Sequence, residues 1–202
     1  MPPTTLSDAA HRFCEDFASK ESIETLLAHF SNTHPCEIVE HGLSCLAPFL
    51  DSPFRGHEGV RRYFSIIAAL ITYGDMQFSD YIIDTGVRKA SVKGTARFTW
   101  ITTRESWDET FTYVLDFDDK DQITRYQIWG DTGALYLASQ GRLKQVSDSE
   151  GTSSHLQPGL TGQGSLNAPR KCTIANVSNS NRVSDTKDVY TCNTTRRHGE
   201  DS

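Results

Sequence analysis

Asp131 stands at the end of "QITRYQIWGD", where an alternating pattern gives way to the small-residue run "TGALYLA". A carboxylate at the rim of an apolar pocket loses hydration, its pKa rises, and it becomes able to exchange a proton with a carbon acid. On strict alternation Ile123, Arg125, Gln127, Trp129 and Asp131 share one face of a strand. If that face lines a pocket, Asp131 is the acid–base group, Trp129 makes its surroundings apolar, and Gln127 is available to an oxyanion. Asp131 also precedes a helical pattern whose free amides it is placed to cap, and this role stands beside the catalytic one.

His41, in "VEHG", is the second candidate, because an imidazole that titrates near neutrality suits a proton shuttle. Its plainer alternative is a hydrogen-bonded residue at a strand end. Tyr113 offers a phenol to an oxyanion. Trp100, Trp107, Tyr113, Phe117 and Trp129 can stack on a flat aromatic or polyene ligand, although aromatic residues on strands also serve cores and dimer interfaces. Glu37 and Glu40 lie at odd separation on one strand, so they face opposite sides and form no carboxylate pair.

Metal chemistry finds little support. His29, His34, Cys36, His41 and Cys45 fit no zinc spacing and fall on elements that diverge. The acidic turn "DFDDKD" lacks the glycine and terminal glutamate of a calcium loop and reads as a solvated hairpin. No serine or cysteine sits in a nucleophile motif. We expect no metal and no cofactor.

These residues need a scaffold. Ser7 can cap a helix carrying Ala10, Phe13, Cys14 and Phe17, and a second helix follows Ser19 or Ser22 with Ile23, Leu26, Leu27 and Phe30 on one face. "CEIVEHG" reads as a short strand. In "PFRGHEGVRRYF" the glycines shape a helix start, and Val60, Phe64, Ile67, Leu70 and Ile71 then recur near a 3.6-residue period until Gly74 and Asp75 end the helix. From Met76 the period falls to about two, giving four strands: "MQFSDYIID", "ASVKGTARFTWIT", "ETFTYVLDFD" and "QITRYQIWGD". A helical turn, "TGALYLASQGRL", closes the α+β domain.

The chain has 202 residues, a formal charge of −6 and 37% hydrophobic residues. The acidic balance argues against a nucleic-acid partner, which needs a basic face. No apolar run is long enough for a bilayer crossing, and the first residues lack a basic start followed by an apolar signal core. The five cysteines form no Cys-x-x-Cys pair, which suits free thiols in a reducing compartment. We therefore expect a cytoplasmic protein with no membrane contact. Residues 144–202, rich in Ser, Gly, Asn and Thr without periodicity, are expected to form a disordered tail after a domain at 5–143.

With this layout, "FRGHEGVRRYF" is similar to the helix start Phe-x-Gly-x-x-x-(Ile/Val)-x-x-(Phe/Tyr)-Phe of the SnoaL-like family in the nuclear-transport-factor-2-like superfamily. "DQITRYQIWGDTGALYLA" resembles that family's closing strand, with its terminal Asp before a small-residue turn. The resemblance covers roughly residues 7–143. It implies a cone-shaped curved antiparallel sheet wrapped around a long helix, leaving a deep pocket. It also implies that Asp131 matches a catalytic Asp of the SnoaL cyclases and that His41 occupies a position often facing the pocket. The segment "ETFTYVLDF" lacks the histidine that those cyclases pair with their Asp, and Tyr113 is the available substitute. The implied function is a cofactor-independent polyketide cyclase or isomerase, acting by acid–base chemistry on a small polyketide-like or aromatic secondary metabolite. Asp131 and His41 would be catalytic, and Tyr113, Gln127, Trp129, Trp100 and Phe117 would bind substrate. The alternative is a non-catalytic small-molecule-binding or dimerisation module of the same fold. A homodimer is expected, and the non-catalytic module would form it through the exposed sheet face.

Overall fold

Thr5, two residues before the expected cap, starts the first helix of the computed structural model, which describes residues 5–150. Its hydroxyl accepts the Asp8 amide at 3.1 Å, while the Asp8 carboxylate accepts the Thr5 amide at 3.0 Å, a reciprocal cap that satisfies two otherwise free donors. Helix α1 (Leu6–Ala18) buries Ala10, Phe13, Cys14 and Phe17 at helical spacing. Ser22 caps the short α2 (Ile23–Leu27). Strand β1 (Glu37–His41) pairs with the two-residue β2 (Phe54–Arg55), and α3 (Gly56–Leu70) follows at once.

Gly56 turns the chain into α3 with φ +67°, and its amide donates to the Cys36 carbonyl at 2.7 Å. A Cβ on Gly59 would lie 2.7 Å from the Phe54 carbonyl carbon, so this glycine is there for close backbone approach. Val60, Tyr63 and Phe64 are buried, whereas Arg61 pairs with Glu24 of α2 at the surface. The helix ends at Leu70, earlier than Gly74 and Asp75 suggested, because Ile71 already has strand dihedrals. Gly74 and Asp75 instead lie at a bulge in β3 (Ile71–Asp84), where the pairing with β4 (Lys89–Trp100) shifts register.

Strands β5 (Ser106–Phe117) and β6 (Ile123–Trp129) complete the curved sheet, in the order β2-β1-β6-β5-β4-β3. The expected antiparallel sheet is corrected to a mixed one: β1 runs parallel to β6, with Glu40 opposite Ile128 and His41 opposite Trp129. A strand that reaches its neighbour through the whole rest of the domain need not obey the hairpin direction. Helix α4 (Thr132–Ser139) ends near Gly141, which has φ +66°, and α5 (Leu143–Glu150) occupies the first residues of the segment expected to be disordered. The remainder of that segment lies outside the described residues. No helix among the described residues is long and apolar enough to cross a membrane.

The core fills the concave side of the sheet. Phe13 of α1 meets Tyr126 edge to face at 5.2 Å between ring centres, and Phe30 and Phe64 continue the cluster. The outer face carries ion pairs such as Lys89–Asp116, Lys93–Asp80 and Arg97–Asp108. Asp118, in the acidic turn, is buried rather than solvated: it accepts Ser31 Oγ at 2.5 Å and the amides of Lys120 and Gln122. The turn is thereby fastened to the end of α2.

Gly94 faces Phe111 across β4 and β5, and a Cβ there would meet the ring at 2.2 Å. Gly94→Ala is expected to lower the thermal unfolding midpoint by roughly 2–10 °C, about 1–3 kcal/mol of overpacking. Gly74→Ala, with nothing within 4 Å of the added carbon, is expected to stay within about 2 °C of wild type. Calorimetric scans of the two variants check this contrast.

Candidate active site

A cleft opens between α3, β1 and the concave face of β3–β6, with α4 at its rim. Its unfilled space, open solvent at the mouth included, comes to about 550 Å³, and about 50 Å³ of room admits the centre of a water molecule. Aromatic and aliphatic residues form most of its wall: Phe17, Ile67, Ile71, Tyr73, Phe98, Trp107, Phe111, Tyr113, Ile128 and Leu135. Against this apolar lining stand the carboxyl groups of Glu40, Glu109 and Asp131 and the phenol of Tyr63.

Glu40 is the most perturbed of these acids. Its position follows from β1: Ile38 and Glu40 alternate toward the sheet's concave side, while His41 turns away. The partial exposure that Glu40 retains is toward the cleft. Tyr63, on the buried face of α3, donates its hydroxyl to Glu40 Oε2 at 2.6 Å. Among the described residues Oε1 has no hydrogen-bond partner. Burial pushes the Glu40 carboxyl up to about 7; the Tyr63 hydrogen bond opposes the rise, and the Glu109 charge adds to it. The Tyr63 phenol is driven well above its usual value by burial and by the Glu40 charge, so it remains a donor.

Glu109 holds the rim. Trp107 Nε1 donates to its Oε2 at 2.6 Å, and the Asp131 amide donates to its Oε1 at 2.7 Å. Burial raises the Glu109 carboxyl, and these two donors oppose the shift. A Cβ on Gly130 would lie 2.3 Å from Glu109 Oε1, so only glycine lets the carboxylate close over the chain there. Asp131 Oδ1 accepts the Ala134 amide at 2.9 Å, making Asp131 the N-cap of α4 as well as part of the cleft lining. Its Oδ2 has no partner among the described residues. Tyr113 lines the cleft, its ring meeting that of the buried Tyr126 edge to face at 4.8 Å between centres, and burial holds its phenol well above the usual value, so it stays protonated.

Structural comparison places this architecture among solved proteins. An NTF2-like protein of unknown function from Burkholderia pseudomallei superposes with TM-score 0.55 and 17% identity, over 66% of this chain and 95% of that one. The chain has the NTF2-like fold. BvnE pinacolase from Penicillium brevicompactum matches with TM-score 0.51 and 14% identity, over 71% of this chain and 96% of that one. A candidate SnoaL-like polyketide cyclase from Mesorhizobium loti matches with TM-score 0.50 and 12% identity, over 61% of this chain and 97% of that one. At such identities the likeness is one of fold. No protein-family model matches the sequence, and no curated protein is similar to it in sequence.

Within this NTF2-like cone the residues expected from the sequence separate. Asp131 and Tyr113 line the cleft. His41, Gln127 and Trp129 lie together on the outer face: the imidazole stacks on Trp129 at 4.2 Å, and its Nε2 is 3.2 Å from Gln127 Oε1. Trp100 is buried, with its indole N–H donating to Thr102 Oγ1 at 3.1 Å, and Phe117 is buried in the core; neither lines the cleft. The expected inward face of β6 is thus corrected. Ile123 is buried, but the β5–β6 pairing shifts register between Asp116 and Phe117, and Tyr126 and Ile128 then point inward. A one-residue slip exchanges every side chain between the two faces.

Glu40, Tyr63 and Glu109 are the members that sequence reasoning passed over. Glu40 and Glu37 do face opposite sides, yet the acid that shares the cleft with Glu40 and adds to its shift comes from β5, far away in sequence. The available signal was a glutamate on the apolar phase of "EIVEH".

The raised Glu40 value has a stability consequence. The folded state binds this proton more tightly than the unfolded chain, whose value is near 4.5. The folded state therefore loses on the order of 3 kcal/mol as pH climbs from about 4.5 to about 7, with no further loss above that window. Glu40→Gln removes this component. Its stability relative to wild type should rise by roughly that amount between about pH 5 and about pH 8. Denaturant titrations of both proteins at the two pH values provide the measurement.

Proposed function

We propose that this protein is a cofactor-independent acid–base enzyme of the cyclase or isomerase kind, acting on a small ring-bearing metabolite. The observation that carries the reading is Glu40, a carboxyl near half-ionisation at neutral pH, inside an aromatic cleft, with one oxygen uncommitted. In this reading Glu40 Oε1 takes a proton from a carbon next to a carbonyl. The Tyr113 hydroxyl, kept protonated by burial, meets the developing enolate oxygen. Tyr63 holds the Glu40 carboxylate in place. Returning the proton to another carbon migrates a double bond, and attack of the enolate carbon on a second carbonyl closes a ring. Asp131 Oδ2 at the rim serves as the second proton-exchanging group. His41, held on the outer face, has no part.

The distant fold likeness to a candidate polyketide cyclase supports the reaction class. A panel of cyclic and aromatic ketones incubated with the protein in heavy water tests the reading by mass spectrometry. The wild type is expected to introduce deuterium next to the carbonyl of at least one member. Glu40→Gln is expected to slow this by about 100-fold or more, the usual contribution of a positioned acid–base group. Exchange at the same rate in wild type and variant would remove Glu40 from the chemistry, and no exchange with any ketone would favour a non-catalytic binder.

A further inference from the structure

The charge of the cleft says something about its ligand that its shape does not. Three carboxylic side chains, Glu40, Glu109 and Asp131, meet the space, and among the described residues no lysine, arginine or histidine lines it. An anionic ligand would enter a water-poor space with only like charge to greet it, and such juxtapositions cost several kcal/mol. The lining therefore disfavours carboxylate and phosphate ligands.

The lining also has a positive preference. Phe98, Trp107 and Phe111 line the cleft beside the carboxyls, and aromatic walls attract a cation through their quadrupoles. Glu40 Oε1 and Asp131 Oδ2, both without partners among the described residues, offer acceptors to an N–H donor. Lys20 lies 5.2 Å from the Tyr73 ring centre, but it belongs to a separate groove that shares Phe17 and Tyr73 with the cleft. It leaves the acidic side of the cleft uncompensated.

We propose that the ligand of this cleft is a cation: a protonated amine carried on an aromatic or fused-ring skeleton. This inference rests on the reading of the cleft as the substrate site. The ring system occupies the aromatic walls, and the ammonium group sits toward Glu40 and the rim acids. The enolisable carbonyl then belongs to a nitrogen-bearing metabolite rather than to an acidic one.

Three matched probes test this: naphthylmethylamine, naphthalenemethanol and naphthoic acid, titrated into the full chain by calorimetry at low salt and about pH 8, where a carboxyl with a value near 7 is ionised. The amine is expected to bind at least about 10-fold more tightly than the alcohol, and the acid not at all. Glu40→Gln should cut the amine preference several-fold. Asp131→Asn, which keeps a good helix cap, gives a second reading of lost charge if the first variant folds poorly. An alcohol that binds as tightly as the amine, measurable binding of the acid, or no binding of the amine overturns the proposal. Ketone exchange in heavy water is scored separately: exchange without amine preference overturns only this inference, and amine preference without exchange overturns only the acid–base reading.

Discussion

Strand β1 joins the sheet alongside β6 in parallel, and the composition of the cleft depends on that register. Glu40 stands opposite Ile128, so both face the concave side, while His41 and Trp129 are paired on the convex side. A shift by one residue would place the imidazole in the cavity and the carboxyl in solvent. The register is held by burial: Ile38 is fully enclosed, and a slip would expose it. The same apolar contacts that make the core therefore also decide which titratable group meets a ligand.

A buried acid is costly, and the surrounding fold shows how it is accommodated. Helix α3 brings Tyr63 to Glu40, and the hydrogen bond recovers part of the lost hydration. The second acid, Glu109, is stabilised by an indole and a backbone amide and closes over Gly130, where any side chain would collide with it. Asp131 links this arrangement to α4 by capping that helix. The three carboxyls thus have different environments within one cleft, Glu40 held by a phenol, Glu109 by an indole and an amide, and Asp131 by the first turn of α4.

Much of the fold was legible in the sequence, because it rests on local signals. The helical spacing of Phe13, Cys14 and Phe17, the glycine-led start of α3, and the change to a two-residue period all reflect burial of one side of an element. The site was less legible. Alternation read from Ile123 put Gln127, Trp129 and Asp131 on one inward face, and the irregular pairing near Phe117 reversed the phase for the rest of the strand. Asp131 still reaches the cleft, since the chain leaves the strand at Gly130 and turns along the rim.

The amino-acid sequence by itself determined which elements form, their order, and the helix-capping role of Asp131, since each depends on neighbours a few residues away. Tertiary structure alone decided that Glu40, Tyr63 and Glu109 converge, that β1 runs parallel to β6, and that His41 faces outward. These outcomes hang on contacts between segments distant in sequence, 23 positions apart for Tyr63 and Glu40 and 86 for His41 and Gln127. Burial within such a junction changes the proton affinity of a carboxyl group, and no local pattern encodes it.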